Sequence, residues 1–283
     1  TCDIMVCIDD LLGCCGNKDY ITELYEKLNK LCPCTYLGNI SRALGMDLEW
    51  TDTSLKLSQS AKVDSLLHKL DMEDCNSRTV PLPTTFNFEE SMVGAELEKY
   101  DKTKYQFIIG SALWLNRGTR PDISEAVHLL SRGMSRPTQA LLEGAIHLVR
   151  YLKGTRDYCL IYSTEKSSFL NLTQYSYNYL IPTTFTDSNW QSPKSQSFVV
   201  IMFYNAALNW KCNRQDSTAL SSVEAELIAL SEGGTLTKYT QLLFKELSLH
   251  FNEIPIFCDN KGAIQNDKHP TTSNKLNHVD IKC

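Results

Sequence analysis

Three acidic residues in the last third of the chain stand where a carboxylate can do chemistry. Asp187 and Asp259 each end a predicted strand, and Glu226 lies within a predicted helix that carries an apolar stripe. A carboxylate removed from water is costly in free energy unless it is paired or binds a metal ion, so a cluster of the three would bind magnesium. Two such ions can activate a water molecule and stabilise the leaving oxygen of a phosphodiester. For any single Asp at a strand end, a turn or a cap is the alternative interpretation.

Two further acidic residues, Asp9 and Asp10, lie between the short apolar segments of residues 4–8 and 11–15. This pattern predicts a β-hairpin with carboxylates at its tip. Paired Asp residues at such a tip also serve an ordinary turn, so the residues alone leave both interpretations open.

Positive charge is concentrated in residues 117–156, which hold seven basic residues against three acidic ones in a chain of net charge -5. The basic residues are Arg117, Arg120, Arg132, Arg136, Arg150, Lys153 and Arg156. This stretch is the candidate surface for a phosphate backbone. A solvated helix face with capping residues is the alternative interpretation.

The elements that must position these residues follow from hydrophobic periodicity. Before residue 75 the pattern predicts two hairpins, each followed by a helix, at residues 4–15, 19–31, 44–58 and 61–70. Residues 75–100 are rich in Pro, Thr and Glu, which indicates a linker and a domain boundary. Three helices are then predicted at residues 105–116, 123–131 and 137–153.

The last third has a different pattern, in which strands precede helices. Strands are predicted at residues 181–186, 197–204, 206–211 and 254–258. Helices are predicted at residues 221–233, at 236–250 and from 261 onwards. Antiparallel strands that lead into an α/β half predict a mixed sheet with helices packed on it.

Composition excludes several classes of protein. With 283 residues and a hydrophobic content of 42%, the chain has ample material for a buried core. Its sequence pI of about 5.7 is too low for a dedicated nucleic-acid-binding module. Without a membrane-length apolar run or a signal peptide, the chain is expected to be soluble and intracellular. Its 11 cysteines include no CxxC pair, which argues against a zinc site and predicts reduced, mostly buried thiols.

Four ordered strings in the last third resemble the ribonuclease H domain of copia-type LTR retrotransposon polyproteins. They are FTDSNW at residues 185–190, LSSVEAELIAL at 220–230, FCDNKGAI at 257–264 and HVDI at 278–281. Upstream, residues 7–10 resemble the YVDD-type motif of the reverse transcriptase palm, and blocks between residues 36 and 155 follow the family's palm, thumb and connection landmarks. The resemblance covers essentially the whole chain, and its details resemble fungal members.

This resemblance implies a fold and a domain organisation. The fold class is α+β / α/β: a partial polymerase palm with thumb and connection helices, followed by a ribonuclease H-like mixed sheet with packed helices. The corresponding limits are residues 1–80 for the palm, 81–180 for the thumb and connection region, and 181–283 for the ribonuclease H-like domain. Both ends of the chain are expected to be cut within elements, which truncates the last domain.

The resemblance also implies roles for single residues. Asp187, Glu226 and Asp259 match the first three ribonuclease H carboxylates, which bind two Mg²⁺ ions for cleavage of the RNA strand of an RNA:DNA hybrid. Glu224 is the alternative to Glu226, and the ELxAL pattern that follows Glu226 favours the latter. The fourth ribonuclease H carboxylate is expected beyond residue 283, and Asp280 of the HVDI string is not assigned to that role.

For the polymerase, the resemblance makes Asp9 and Asp10 the second and third metal-binding carboxylates of a site whose first Asp lies upstream. Arg117 and Arg120 are the expected nucleic-acid-binding residues. The implied partners are an RNA:DNA hybrid, element RNA and cDNA, and other parts of the Pol polyprotein, with no membrane. The implied location is a cytoplasmic virus-like particle with a nuclear phase. The alternative is a degenerate, non-catalytic remnant that at most binds nucleic acid.

Overall fold

The computed structural model describes residues 2–7, 10–165, 178–191 and 194–268. The N-terminal part contains the predicted hairpin, formed by β1 (Cys2–Cys7) and β2 (Asp10–Cys15), which pair antiparallel. Helix α1 (Lys18–Leu31) follows, and the side chain of its N-cap residue Asn17 accepts a hydrogen bond of 2.9 Å from the Asp19 N–H. The hairpin and the helix predicted here are therefore confirmed.

A second sheet joins parts of the chain that lie far apart in sequence. Its antiparallel strands have the order β3 (Arg42–Ala43), β4 (Met46–Trp50), β5 (Ser54–Ser58) and β6 (Leu160–Ser163). The β4–β5 hairpin was predicted, whereas β6 was not. Residues 59–159 therefore leave this sheet after β5 and return to it at β6.

The segment between β5 and β6 forms a helical core. Its helices are α2 (Ser60–Lys69), α3 (Phe88–Ser91), α4 (Lys99–Gly118), a 3₁₀ turn (Pro121–Ile123), α5 (Ser124–Ser131) and α6 (Gln139–Gly154). Leu66 of α2, Ile108 of α4 and Leu148 of α6 are buried in one apolar cluster. Phe86 and Phe88 of the expected linker pack against the same cluster. Part of the segment 75–100 thus packs against the core and does not act as a free linker, because these apolar side chains have a surface to cover. The domain limits at residues 80 and 180 stay predictions.

The third sheet is mixed, as the sequence pattern predicted. Its order is β10 (Ile256–Cys258), β7 (Thr183–Asn189), β8 (Gln196–Phe203) and β9 (Ala206–Arg214), with β10 parallel to β7 and the other pairs antiparallel. Helix α7 (Ser222–Glu246) packs on β7 and β8, and α8 (Lys261–Lys268) follows β10.

One continuous helix replaces the two that were predicted at residues 221–233 and 236–250. A Gly pair stands at residues 233 and 234, between the two predicted helices, but Gly233 lies inside α7 at its contact with β7. A Cβ at Gly233 would lie 2.3 Å from Thr186 Cγ2, so a larger residue would push the helix off the sheet. Near it, the hydroxyl oxygens of Thr184 and Thr237 are 2.6 Å apart. The glycine serves close helix–sheet packing, and the helix continues through it.

The cysteines differ from expectation. In the described part of the chain, seven cysteines carry free thiols and none of these is fully buried, while Cys15 is disulfide-bonded. Among the described cysteines, the prediction of reduced thiols is therefore wrong for Cys15. The prediction that most of the thiols are buried is also wrong. Among the described residues, no helix combines the length and the hydropathy that a membrane span requires.

Candidate functional site

The parallel pairing of β7 with β10 sets two of the predicted carboxylates side by side. Cys258 is in register with Thr186, and each is followed directly by an acidic residue, Asp259 and Asp187. Both acidic side chains are exposed. Because the carboxyl ends of parallel strands meet at one edge of a sheet, the two residues share one end of the β7–β10 pair.

Helix α7 brings the third carboxylate to the same place. Glu226 lies near the start of α7 and is only 6% exposed. Its Oε1 accepts a hydrogen bond of 3.2 Å from the N–H of Ser188, the residue that follows Asp187. The structure thus brings together all three predicted ribonuclease H carboxylates.

The electrostatics of this cluster favour a cation. Burial raises the pKa of Glu226 above its ordinary value; the Ser188 hydrogen bonds oppose this effect, and the Asp187 and Asp259 carboxylates add to it. Converging like charges that raise a pKa also destabilise the ionised cluster, and a bound divalent cation removes that repulsion.

Two observations test whether the residues fit magnesium. The three predicted ligands are all carboxylates, and Mg²⁺ prefers oxygen ligands. In addition, the solvent-shielded Ser188 Oγ lies beside Glu226, where the hydroxyl lowers the pKa of that carboxylate. A hydroxyl in this position can also hydrogen-bond a water molecule held by a cation. The residues present fit the ion.

The alternative carboxylate, Glu224, has a different position. It is 1% exposed, and its Oε2 accepts a hydrogen bond of 2.7 Å from the Leu220 N–H. Its own N–H donates to Oγ of the N-cap residue Ser221 over 3.2 Å. Glu224 therefore belongs to the cap of α7, where a carboxylate satisfies backbone N–H groups that have no partner within the helix.

A residue of this site that the sequence did not single out is Cys258, the last residue of β10. Its Sγ lies 3.8 Å from Glu226 Oε2. Together with Glu226 and Asp259 it forms a group whose ligand atoms all lie within 4.8 Å of one another. Burial raises the pKa of the Cys258 thiol, and the two carboxylates contribute to the rise. Its position directly before Asp259 was the available signal.

The structure describes little of the residues that were predicted to form the polymerase site. Asp9 lies outside the described residues, as does Asp280. Asp10 begins β2 opposite Cys7, and its side chain is also outside the described part of the chain. Their metal-binding role therefore stays a prediction.

Arg120 was predicted to bind nucleic acid, but it does not lie on the surface. It is only 1% exposed, and its guanidinium donates to both carboxylate oxygens of Asp122 over 2.8 and 2.7 Å. It also donates to the backbone oxygen and the hydroxyl of Thr155. The rings of Tyr151 and Tyr158 lie 5.7 and 5.4 Å from the guanidinium carbon. Arg120 is enclosed by protein, so it is not available to a phosphate backbone.

Most other basic residues of the 117–156 stretch are also engaged within the protein. Their partners are Glu89 for Arg132, Gly94 for Arg136, Cys75 for Lys153, and Asp64 with Asp157 for Arg156. Arg117 differs, because it is exposed and lines a cleft of about 550 Å³ together with Trp210 and Lys211. The predicted basic surface is thus smaller than the sequence suggested.

Comparison with known proteins gives relatives along the whole chain, although no protein-family model matches. The chain is 27% identical to the "Retrovirus-related Pol polyprotein from transposon TNT 1-94" of Nicotiana tabacum over 288 residues, which cover 99% of this chain and 21% of the relative. It is 26% identical over 283 residues to the corresponding polyprotein from transposon RE1 of Arabidopsis thaliana, with 98% and 18% covered. The chain spans about a fifth of the length of these polyproteins.

A further relative comes from a yeast. The chain is 28% identical over 243 residues to a putative transposon Ty5-1 protein of Saccharomyces cerevisiae, with 81% of this chain and 71% of the relative covered. Relatives thus occur in both plants and a fungus, and the fungal origin stays a prediction.

Proposed function

Starting from the homology of this chain to the retrovirus-related Pol polyproteins of plant transposons, we propose that it is a copia-type Pol segment whose residues 181–283 form a ribonuclease H. The reaction is Mg²⁺-dependent cleavage of the RNA strand of RNA:DNA hybrids during element replication. Asp187, Glu226 and Asp259 are its metal-binding carboxylates. Residues 1–80 belong to a reverse transcriptase palm in which Asp9 and Asp10 bind magnesium.

One observation carries this proposal: the buried Glu226 of α7 lies at the shared end of β7 and β10, beside Asp187 and Asp259. The carboxylates come from three separate segments of the chain, so their convergence depends on the tertiary structure. Ordinary turn or cap formation would account for each Asp alone, but it does not require Glu226 to be buried beside them.

Each residue has a role that follows from its position. The exposed Asp187 and Asp259 offer oxygens at the rim, where a phosphodiester has access. Glu226 offers a carboxylate whose orientation is held by the Ser188 N–H. When bound there, magnesium supplies an activated water and stabilises the charge on the leaving oxygen.

The partners follow from the reaction. The proposed substrate is an RNA:DNA hybrid of element RNA and cDNA, and other parts of the polyprotein complete the polymerase. The proposed location is a cytoplasmic virus-like particle with a nuclear phase.

Cleavage of a hybrid with a labelled RNA strand, in Mg²⁺, tests the proposal. Asp259→Asn should reduce the cleavage rate by a factor of about 100 or more, because it removes a charged ligand. Asp52→Asn is the matched control, since Asp52 is exposed in the β4–β5 turn, far along the chain from the carboxylates. Equal rates for Asp259→Asn and the parent protein would exclude the assigned site. A folded parent protein that does not cleave would instead favour the non-catalytic remnant.

A further inference from the structure

The carboxylate cluster includes a sulfur ligand that magnesium does not use. Cys258 Sγ, Glu226 and Asp259 place one ligand atom each within 4.8 Å of the others. We propose that these three residues form a binding site for a thiophilic divalent cation, Zn²⁺ in particular, and that Zn²⁺ bound there excludes Mg²⁺ and inhibits the nuclease. The inhibition rests on the proposed function, whereas the binding of Zn²⁺ does not.

The ligand set matches what zinc requires. Zinc binds thiolate sulfur at about 2.3 Å and carboxylate oxygen at about 2.0–2.2 Å, so tetrahedral geometry separates the two ligand atoms by about 3.5 Å. The observed distance between Cys258 Sγ and Glu226 Oε2 is 3.8 Å. A small movement of either side chain would bring both atoms to bonding distance of one ion. Three protein ligands would leave one position for water, as in many zinc sites that are open to solvent.

The same set discriminates between the two cations. Thiolate is a soft ligand, which favours zinc, whereas magnesium selects carboxylate, carbonyl and water oxygens. Glu226 and Asp259 are therefore shared by both ions, and Cys258 adds a ligand for zinc alone. When zinc binds, the thiol proton is released to solvent as the sulfur–metal bond forms.

Ser188 also lies at this place. Its Oγ is shielded from solvent beside the Glu226 carboxylate, whose pKa it lowers. The backbone N–H of Ser188 already holds Glu226 Oε1, which leaves Oε2 on the side of Cys258. The Ser188 hydroxyl can also hydrogen-bond a water molecule on the ion, as the partners around metal ligands commonly do.

Cobalt is a spectroscopic substitute for zinc, because Co²⁺ bound to thiolate gives a charge-transfer band in the near ultraviolet. The full chain is titrated with Co²⁺ in buffer that contains a non-thiol reductant. Zn²⁺ is then added to displace the bound Co²⁺. We expect a band in the parent protein that Cys258→Ser abolishes, with Co²⁺ affinity reduced by about tenfold or more. Cys212→Ser is the matched control, because Cys212 is a partly buried thiol on β9, at the far edge of the same sheet. A band that persists in Cys258→Ser, or is absent from the parent protein, overturns the proposal.

A measurement on the parent protein decides the question if Cys258→Ser does not fold. Zn²⁺ should slow the alkylation of Cys258 by iodoacetamide by about tenfold or more, while the alkylation of the partly exposed Cys75 is unchanged. Equal alkylation of Cys258 with and without Zn²⁺ overturns the site.

The cleavage assay separates this inference from the proposed function. The Zn²⁺ concentration that halves hybrid cleavage should rise by about tenfold in Cys258→Ser, measured against that variant's own zinc-free rate. If the protein cleaves the hybrid but gives no cobalt–thiolate band, the zinc site is overturned and the proposed nuclease is not. If it gives the band but does not cleave the hybrid, the nuclease is overturned and the zinc site is not.

Discussion

Among single residues, Arg120 is a charged side chain whose role depends on burial, because its guanidinium lies inside the protein. Its carboxylate partner, Asp122, is two residues away, and its other hydrogen bonds reach Thr155 at the end of α6. An arginine with all of these bonds is satisfied although it is desolvated, so it ties the turn after α4 to the end of α6.

Arg120→Met should therefore lower the free energy of unfolding by about 3 kcal/mol, because it leaves the Asp122 carboxylate without its charge partner. Urea unfolding followed by circular dichroism measures the change. Arg117→Met, in the exposed arginine three residues earlier, should change it by no more than about 0.5 kcal/mol. A similar effect of both substitutions would contradict a structural role for Arg120.

The two glutamates near the start of α7 should respond in opposite ways. Glu226→Gln should abolish hybrid cleavage and, in metal-free buffer, raise the melting temperature, because it removes a buried charge whose pKa is raised by burial and by two carboxylates. Glu224→Gln should retain cleavage and lose about 1 kcal/mol of stability, because the helix cap is weakened. Loss of cleavage only in Glu224→Gln would reverse the assignment.

At the scale of elements, α7 is the part that assembles the site, since it carries Glu226 at one end and packs along β7 and β8. Its close approach to the sheet depends on Gly233, whose missing Cβ leaves room for Thr186. Glycine in a helix interior costs about 1 kcal/mol relative to alanine, so its presence there is explained by the packing.

Gly233→Ala should consequently destabilise the protein by about 1–3 kcal/mol, since overpacking outweighs the gain in helix propensity. Gly110→Ala in α4 is the control, because nothing lies within 4 Å of the added Cβ, and it should stabilise by about 0.5–1 kcal/mol. Thermal unfolding compares the two variants. Stabilisation by both would mean that α7 does not approach β7 so closely.

At the scale of the whole molecule, the helical core touches the mixed sheet where α5 meets β9. Trp210 of β9 donates a hydrogen bond of 2.9 Å to the backbone oxygen of Asn116 in α4. His128 of α5 lies at this junction, and its Nε2 is buried without a hydrogen-bond partner in the described part of the chain. Burial lowers the pKa of His128, and the charges of Arg132 and Arg214 lower it further.

This lowered pKa makes the junction sensitive to acid. The unfolded chain takes up a proton near the ordinary pKa of 6.5, and the folded protein only at lower pH, so stability falls as pH drops below that value. The slope from one such group is at most about 1.4 kcal/mol per pH unit. His128→Gln should lose less stability than the parent protein between about pH 7.5 and about pH 5.5 in urea unfolding. Identical losses in both proteins would exclude His128 as the source.

Local patterns were sufficient for most elements, and the resemblance singled out three carboxylates that the structure brings together. The alternation of apolar and polar residues in β4 and β5 and the cap at Asn17 are properties of neighbouring residues, so the sequence expresses them directly. The strings around Asp187, Glu226 and Asp259 could likewise be recognised without a structure.

Contacts between distant segments could not be predicted in this way. The burial of Arg120, the pairing of β6 with β5, the space required at Gly233 and the proximity of Cys258 to Glu226 all join residues that are far apart in the chain or separated by a turn. A local pattern specifies how a residue prefers to be arranged with its neighbours along the chain. Which distant surface covers it depends on the packing of the whole fold, because burial and desolvation arise only when those surfaces meet.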